Sequence, residues 1–288
     1  MIDIDDIKLE DDKYYILSPY GLGDTMFLCS FKEAFEQKNG GKAHFLMKPS
    51  HEFIMKMYGI TDYTVCDTAK LKVIKYSTTF EKGKIALAHF SHIENGENCL
   101  KSDNFMQAYI KLLGLSEDTK FQQPIWYPKL SEEFKKKIEA INSLDNIVLI
   151  CPEASSNKMF NKTIWEKEIE RAINDGYKVI CNIVDINNQP KNSIYVPMTT
   201  EEAIALAINC KKVISIRSGI CDIIYFKCQD LKVLYNNYNK FYYLSNMYSN
   251  INPNVKDVVI KHNIFYKDFV KTLYFKYQSL KGLYNRYK

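Results

Sequence analysis

The stretch Ser18-Pro19-Tyr20-Gly21-Leu22-Gly23-Asp24-Thr25 joins an apolar run at residues 14–18 to residues 24–37, where apolar side chains recur at helical spacing. Glycines between a strand and a helix let the backbone turn sharply and leave amide groups free to face a ligand. A dinucleotide-binding fingerprint would need glycine at Met26 and an acidic residue near Lys48, where the next strand ends. The stretch therefore predicts the first strand–turn–helix unit of an α/β fold without a nicotinamide site.

Strand and helix patterns alternate along the rest of the sequence, which predicts βαβ units and parallel sheets. The alternation breaks at residues 121–129, FQQPIWYPK, where two prolines and the loss of any period predict a linker. We therefore expect two α/β domains, residues 1–125 and residues 130–258. Further strands are predicted at 43–47, 84–89, 146–151, 177–184, 212–216 and 231–235, and helices at 51–57, 104–115, 132–141, 163–175, 199–209 and 222–227.

The composition excludes several classes of protein. Hydrophobic residues make up 46% of the 288 residues, and the net charge of +5 is too small and too dispersed for a nucleic-acid-binding surface. No apolar run reaches the roughly 18–20 residues that cross a bilayer, and the acidic start MIDIDDIKLEDD is unlike a secretory signal. The eight cysteines show no C-x-x-C pair and no zinc-ligand spacing, so we expect reduced, buried thiols. These features predict a cytoplasmic protein.

The C-terminal residues 264–287 combine a helical apolar period with interleaved lysines. One interpretation is a helix that lies on a membrane surface and would place the protein at the inner face of the membrane. The other is a terminal helix, residues 262–288, that packs back on the first domain with its lysines in water. The second is favoured, because basic amphipathic helices usually present a solvated face.

Two of the strand-to-helix corners carry charges suited to chemistry. Asp24 lies in a first helical turn at the carboxyl end of a strand, where open α/β sheets place ligands and the helix dipole favours a negative charge. The alternative is that Asp24 only caps the helix. Residues 151–158, CPEASSNK, end another strand with small polar side chains followed by Lys158, which could neutralise a diphosphate beside helix amides.

A third corner, residues 215–222 (SIRSGICD), again joins a strand to a helix. Ser218 and Gly219 would present a hydroxyl and backbone amides to phosphate oxygens, and Arg217 adds a fixed charge with a fork of donors. The alternative is an ordinary turn in which Arg217 forms a salt bridge.

Together the three corners resemble those of the heptosyltransferase-like branch, family 9, of the GT-B glycosyltransferases. The family's Leu-Gly-Asp turn is matched by residues 22–24, and its Lys-x-Trp-Pro motif aligns with residues 158–161, with Trp165 at the later aromatic position. Its Asp-Thr/Ser-Gly-x-x-His turn aligns with residues 217–222, where arginine replaces the first acidic residue and aspartate replaces the histidine. The order of the motifs is kept to about residue 250, but these two replacements leave the donor sugar unassigned.

The resemblance implies a GT-B fold, in which two Rossmann-like domains with parallel sheets face a central cleft. Residues 1–125 would form the acceptor side and residues 130–258 the nucleotide-sugar side. The implied activity is that of a bacterial glycosyltransferase, of hexosyl or heptosyl type, that acts with inversion on a hydroxyl of a cell-surface glycan or lipid-linked precursor. No metal or cofactor is expected, since the D-x-D spacing at residues 3–5 lies in the polar N-terminus rather than at a strand end.

The same resemblance implies roles for individual residues. Asp24 would be the catalytic base, and Gly21 and Gly23 would form the glycine turn. His89 and His92, near the end of the predicted strand 84–89, are candidates for the acceptor side, although histidines near strand ends are more often structural. The donor would be bound by residues of the other two corners: Lys158, Arg217, Ser218, Gly219, Ile220, Cys221 and Asp222.

Two alternative functions stay open on the sequence. A sugar-nucleotide-modifying enzyme of epimerase type could use the same fold and would need no acceptor. A non-catalytic binding partner in polysaccharide assembly would have no working site, although the presence of Asp24 and Lys158 argues against it.

Overall fold

A computed structural model describes residues 2–18, 20–68, 79–89, 102–154, 160–236, 240–248 and 252–260, together with two short strands between residues 93 and 98. Lys158, His92 and the helix predicted at 262–288 lie outside these residues, so their predicted roles stay predictions. Within the described part, the chain forms two parallel sheets flanked by helices.

The first half of the chain forms a parallel five-stranded sheet. Its strands are β1 (Ile2–Asp3), β2 (Lys13–Ser18), β3 (Lys42–Met47), β4 (Tyr63–Asp67) and β5 (Ile85–Leu87). Their spatial order is β1-β4-β3-β2-β5, and β2 is an apolar run buried almost throughout, as strands covered on both faces are. The helices of this half are α1 (Leu22–Ser30), α2 (Lys32–Asn39), α3 (Glu52–Met57) and α4 (Phe105–Leu112).

An antiparallel pair, β6 (Ile93–Glu94) and β7 (Glu97–Asn98), precedes a second sheet of six parallel strands. The strands of this sheet are β8 (Ile147–Cys151), β9 (Lys178–Cys181), β10 (Ile194–Tyr195), β11 (Lys212–Ile216), β12 (Leu231–Tyr235) and β13 (Val255–Val259). Their spatial order is β10-β9-β8-β11-β12-β13, which puts the ends of β8 and β11 side by side. The helices are α5 (Glu132–Glu139), α6 (Lys162–Asn174), α7 (Thr200–Asn209), α8 (Gly219–Ile224) and α9 (Leu244–Met247).

The predicted fold class, α/β with two parallel sheets, is confirmed, and each predicted strand is present. The helix predicted at 24–37 is instead two helices, because the backbone leaves the helical region at Phe31, with φ −109° and ψ 7°. The helix predicted at 222–227 begins earlier, at Gly219. Residues 121–129 contain no helix or strand, as predicted, while the domain limits 1–125 and 130–258 stay a prediction.

The two halves pack against each other and share a hydrophobic core, so residues 121–129 do not hold them apart. Phe27 of α1 lies parallel to Tyr248 of the second half, with ring centroids 6.3 Å apart. Phe121, from the linker region, stacks on Phe226 at 5.4 Å and packs edge-on against Tyr248. Aromatic pairs of this kind add to the free energy gained by burial. The relative position of the sheets is therefore fixed by side-chain packing.

The seven cysteines in the described part of the chain are free and buried, and burial raises the pKa of each thiol. This confirms the prediction of buried thiols for those seven. Among the described helices, none combines the length and apolar character needed to span a bilayer.

Candidate functional site

The glycine turn lies at the carboxyl end of β2, where the chain enters α1. Gly21 precedes the first helical residue, and Asp24 is the third residue of the helix. The Asp24 Oδ2 atom accepts a hydrogen bond from the Gly21 backbone N–H at 2.8 Å. Asp24 therefore does cap the helix, but this bond uses only one of its two oxygens.

The other oxygen of Asp24 is held by a side chain from α4. The Tyr109 hydroxyl donates to Asp24 Oδ1, and the Tyr109 side chain is fully buried. His89 Nε2 lies 3.9 Å from the same oxygen, so the structure brings one of the two predicted histidines to Asp24. The Asp24 side chain is 13% exposed, which leaves the carboxylate oriented by the protein and still open to solvent.

The segment between β3 and α3 is hydrogen-bonded to the glycine turn and to α1. Lys48 Nζ donates to the Tyr20 carbonyl at 2.6 Å, and His51 Nδ1 lies 2.6 Å from Thr25 Oγ1, which itself lies 2.7 Å from Ser18 Oγ. Burial lowers the pKa of His51 to about 3, and the nearby Lys48 charge adds to the shift. His51 is therefore neutral at physiological pH and ties α1 to the segment between β3 and α3 through a hydrogen bond rather than a charge.

The surroundings of Asp24 combine cationic and aromatic groups. The rings of Tyr20 and His89 lie 4.2 Å apart. Burial lowers the pKa of Lys48, while the Asp24 carboxylate opposes that shift. Burial raises the pKa of Tyr20, with the Asp24 charge contributing. Tyr20, His89 and Lys48 therefore surround Asp24 on the side of the first sheet.

In the third corner, the predicted donor-binding arginine is paired within the protein. Arg217 Nη1 and Nη2 each lie 2.8 Å from one Asp222 oxygen, and Arg217 Nε donates to the Tyr242 carbonyl at 2.9 Å. Arg217 is 8% exposed and Asp222 is 1% exposed. Burial alone would lower the pKa of Arg217, but the Asp222 carboxylate, with smaller contributions from Tyr235 and Cys221, holds that pKa above its ordinary value. The salt bridge considered for Arg217 is present, and direct contact of this pair with a donor stays a prediction.

The other residues of this corner divide by exposure. Ser218, Gly219 and Ile220 are partly exposed at the start of α8. The Cys221 thiol is buried, with Sγ 3.4 Å from the Ile216 carbonyl, and the Cys221 N–H donates to the Ser218 carbonyl. Donor binding by Cys221 therefore stays a prediction, and Ser218, Gly219 and Ile220 are the partly exposed residues whose hydroxyl and amides would face an anion.

The first and third corners touch each other across the two halves. A Cβ atom on Gly219 would lie 2.5 Å from the Gly23 backbone nitrogen, and one on Gly23 would lie 2.7 Å from Asp222 Oδ2. Real Cβ atoms do not come this close to other heavy atoms. The neighbour of Gly219 is backbone and that of Gly23 is a carboxylate held by Arg217, so neither can easily move aside and both positions favour glycine. The glycines predicted for their free amides therefore also let α1 and α8 meet end to end.

The second corner is described only on either side of residues 155–159. Glu153 Oε2 accepts from the Val184 N–H at 2.7 Å, which links the segments that follow β8 and β9. Trp165 is fully buried, with its ring 6.0 Å from that of Phe160. Because β8 and β11 are adjacent and parallel, the second and third corners leave the same edge of the sheet.

Sequence reasoning missed Tyr109, His51 and Lys48. Tyr109 is 85 residues from Asp24 and has the spacing of an ordinary core residue of an amphipathic helix. His51 and Lys48 belong to a segment with no motif, and only the neighbouring strand order brings it beside β2. In the described part of the chain, no group of three or more His, Cys, Asp or Glu side chains could hold one metal ion. Surface hollows of about 450 and 390 Å³ lie elsewhere, beside α2 and beside Phe226, and do not include Asp24.

The two halves, each a parallel sheet flanked by helices, have the architecture of a GT-B fold. The chain is similar in fold to the family 9 glycosyl transferase of Veillonella parvula, with a TM-score of 0.58 and 13% identity over 93% of this chain and 92% of that one. It is also similar to the ADP-heptose LPS heptosyltransferase II of E. coli, with a TM-score of 0.56 and 13% identity over 87% of this chain and 90% of that one.

A further structure of this fold is TibC, the iron-containing dodecameric glycosyltransferase of enterotoxigenic E. coli H10407, with a TM-score of 0.57 and 13% identity over 89% of this chain. The present chain spans 65% of the length of TibC. No protein-family model and no curated protein sequence matches the chain. At these identities the similarity establishes the GT-B fold, which confirms the fold implied by the sequence resemblance.

Proposed function

We propose that the protein is a glycosyltransferase that moves a sugar from a nucleotide-diphosphate donor to an acceptor hydroxyl. One observation carries this proposal. The Asp24 carboxylate is oriented by two hydrogen bonds at the point where α1 meets the start of α8, the corner predicted to bind the donor phosphates. The fold supports it, because structures of the same fold include a heptosyltransferase with ADP and TibC with ADP-D-β-D-heptose.

In this proposal the transfer is a single displacement with inversion. Asp24 accepts the proton of the acceptor hydroxyl while the hydroxyl oxygen forms a bond to the anomeric carbon. The bond from that carbon to the diphosphate oxygen breaks, and its electron pair leaves with the nucleoside diphosphate on the opposite face. The amides and hydroxyl at Ser218 and Gly219, together with Lys158, would stabilise the charge that develops on the leaving group.

The roles of the remaining residues follow from their contacts. Arg217 would act through its pair with Asp222, which fixes the corner that presents the amides of Ser218 and Gly219. His89 would face the acceptor, since it lies beside the Asp24 oxygen. We propose that these fixed groups serve in place of a metal ion, which predicts turnover that survives a chelator.

The acceptor and the place of action are also proposals. A hydroxyl of a cell-surface glycan or a lipid-linked precursor is the acceptor class that fits the heptosyltransferases of this fold. Such an acceptor would be met in the cytoplasm at the inner face of the membrane, where residues 262–288 could make peripheral contact. Flotation with anionic lipid vesicles, using the full chain and a version ending at residue 260, would test that contact.

The test of the activity itself compares Asp24→Asn with the wild-type protein. Thermal shift with ADP, GDP, UDP and CDP and their common sugars identifies the donor, and release of nucleoside diphosphate from that donor measures turnover. We expect the variant to keep the donor-induced shift and to lose turnover by about 10²–10⁴-fold, the range for a positioned base.

Asp145→Asn is the matched control, because Asp145 is an exposed aspartate of the second half and should behave as wild type. Normal turnover in Asp24→Asn would remove Asp24 from the mechanism. Isomerised donor sugar, formed without acceptor, would favour the epimerase-type alternative, and no shift with any nucleotide would favour a non-catalytic binding partner.

A further inference from the structure

The carboxylate of Asp24 depends on a hydroxyl that comes from a distant part of the chain. Tyr109 lies on α4, and its ring is clamped by Phe27, stacked at 5.4 Å, and by Phe105, edge-on at 5.4 Å. The ring cannot turn without disturbing both neighbours, so the hydroxyl is delivered to one point, Asp24 Oδ1. A rigid aromatic donor of this kind adds a fixed direction to an otherwise rotatable carboxylate.

We propose that Tyr109 is a positioning residue for sugar transfer, in that it holds the Asp24 carboxylate in the orientation from which it takes the acceptor proton. This inference rests on the proposed function and deepens it. With the Gly21 N–H on Oδ2 and the Tyr109 hydroxyl on Oδ1, one lone pair on each oxygen is engaged and the other stays available. The two donors, a backbone amide and a phenol hydroxyl, are both uncharged.

The Tyr109 hydroxyl is not required to hold α4 in place. The helix begins with Asn104, whose side chain accepts from the Gln107 N–H at 2.9 Å and donates to the Asn246 carbonyl at 3.3 Å. The ring contacts with Phe27 and Phe105 do not involve the hydroxyl. Tyr109→Phe therefore removes the bond to Asp24 and leaves the packing of the helix.

Loss of this bond removes one of the two hydrogen bonds that orient the Asp24 carboxylate, which then turns more easily about its Cβ–Cγ bond. A misplacement of about 1 Å at a reacting group can lower a rate by about 10²-fold, whereas donor binding does not involve this bond. We therefore expect Tyr109→Phe to lower kcat by about 10- to 100-fold, with KM for the donor changed less than about twofold.

Tyr14→Phe is the matched control. The Tyr14 ring is also buried in the first half, and its hydroxyl donates once, to the Asn39 carbonyl at 3.2 Å, near the start of β2. If loss of a buried tyrosine hydroxyl acts only through stability, both variants will show a lowered melting temperature and an unchanged kcat. That result would overturn the assignment of Tyr109.

A double variant distinguishes action through Asp24 from an independent effect. If Tyr109 only positions Asp24, then Tyr109→Phe combined with Asp24→Asn will turn over no more slowly than Asp24→Asn alone. Losses that multiply would overturn the proposal. Absence of any nucleotide-induced shift and any nucleoside diphosphate release in the wild-type protein would instead refute the proposed function, so the two failures are distinguishable.

Discussion

The two corners that meet at the interface each carry an aspartate, and they hold it in opposite ways. Asp24 accepts hydrogen bonds from two neutral donors, the Gly21 N–H and the Tyr109 hydroxyl, and its side chain is 13% exposed. Asp222 is 1% exposed and receives both terminal nitrogens of the Arg217 guanidinium. The two carboxylates are neighbours across the Gly23–Gly219 contact, so their difference is local.

This difference separates a carboxylate available for chemistry from one that holds structure. A carboxylate offers about four lone-pair sites, and one neutral donor on each oxygen leaves Asp24 with lone pairs open to a substrate. The bidentate bond to Arg217 and the deep burial of Asp222 leave it nothing to offer a substrate. Replacing each aspartate by asparagine should therefore give opposite signatures: lost turnover at position 24 and lost stability at position 222.

The largest effect on stability is expected for Asp222→Asn. Removing one member of a buried ion pair leaves the other charge without compensation, which costs about 3–5 kcal/mol. Urea denaturation should therefore show a large drop in the free energy of unfolding, whereas Asp24→Asn should lower it by about 1.5–3 kcal/mol, the range for a hydrogen bond to a charged group. Equal losses in the two variants would remove the distinction between the corners.

A companion variant sharpens this prediction. Arg217→Met combined with Asp222→Leu removes both charges together, and apolar replacements of a buried pair are often neutral in stability. We expect the double variant to recover most of the free energy of unfolding that Asp222→Asn loses. A double variant as unstable as the single one would show that the contact of Arg217 with the Tyr242 carbonyl, rather than the ion pair, holds the corner.

Much of this architecture could be predicted from local sequence. The apolar runs that form β2, β8 and β11 are short and continuous, as strands buried on both faces are, and the corners after them follow from glycine and small residues. The break between α1 and α2 at Phe31 could not be predicted. The apolar spacing continues through that residue, and its side chain is buried.

The site was predictable only in part, because some of its residues come together only through tertiary packing. The sequence identified Asp24 and the 217–222 corner, since each follows a strand at the carboxyl edge. It did not reveal that Arg217 and Asp222, the two replacements noted in this corner, form an ion pair with one another. Tyr109 and His51 reach the glycine turn through tertiary packing, which leaves no mark on the spacing of nearby residues.

A smaller effect is expected from Gly219→Ala, which tests the contact between the corners. The added Cβ would meet the Gly23 backbone nitrogen at 2.5 Å, and backbone cannot move aside as a flexible side chain can. Overpacking of this kind costs about 1–3 kcal/mol, and it should also lower turnover by shifting the start of α8 relative to the start of α1. Ser218→Ala, which adds no atom, is the control and should keep wild-type stability. A fully stable Gly219→Ala protein would mean that the corners do not touch.

The smallest effect concerns the neutral network under Asp24 and is seen only as pH changes. Because the pKa of His51 is lowered from 6.5 to about 3 in the folded protein, the unfolded chain binds a proton below pH 6.5 that the folded chain does not. This group therefore removes about 1.4 kcal/mol of stability as pH falls from 7.5 to 5.5. His51→Asn can still bond Thr25 but cannot titrate, so it should be less stable than wild type at pH 7.5 and lose that deficit by pH 5.5. Urea midpoints at both values measure this, and parallel pH dependence in the two proteins would show that folding does not lower the pKa of His51.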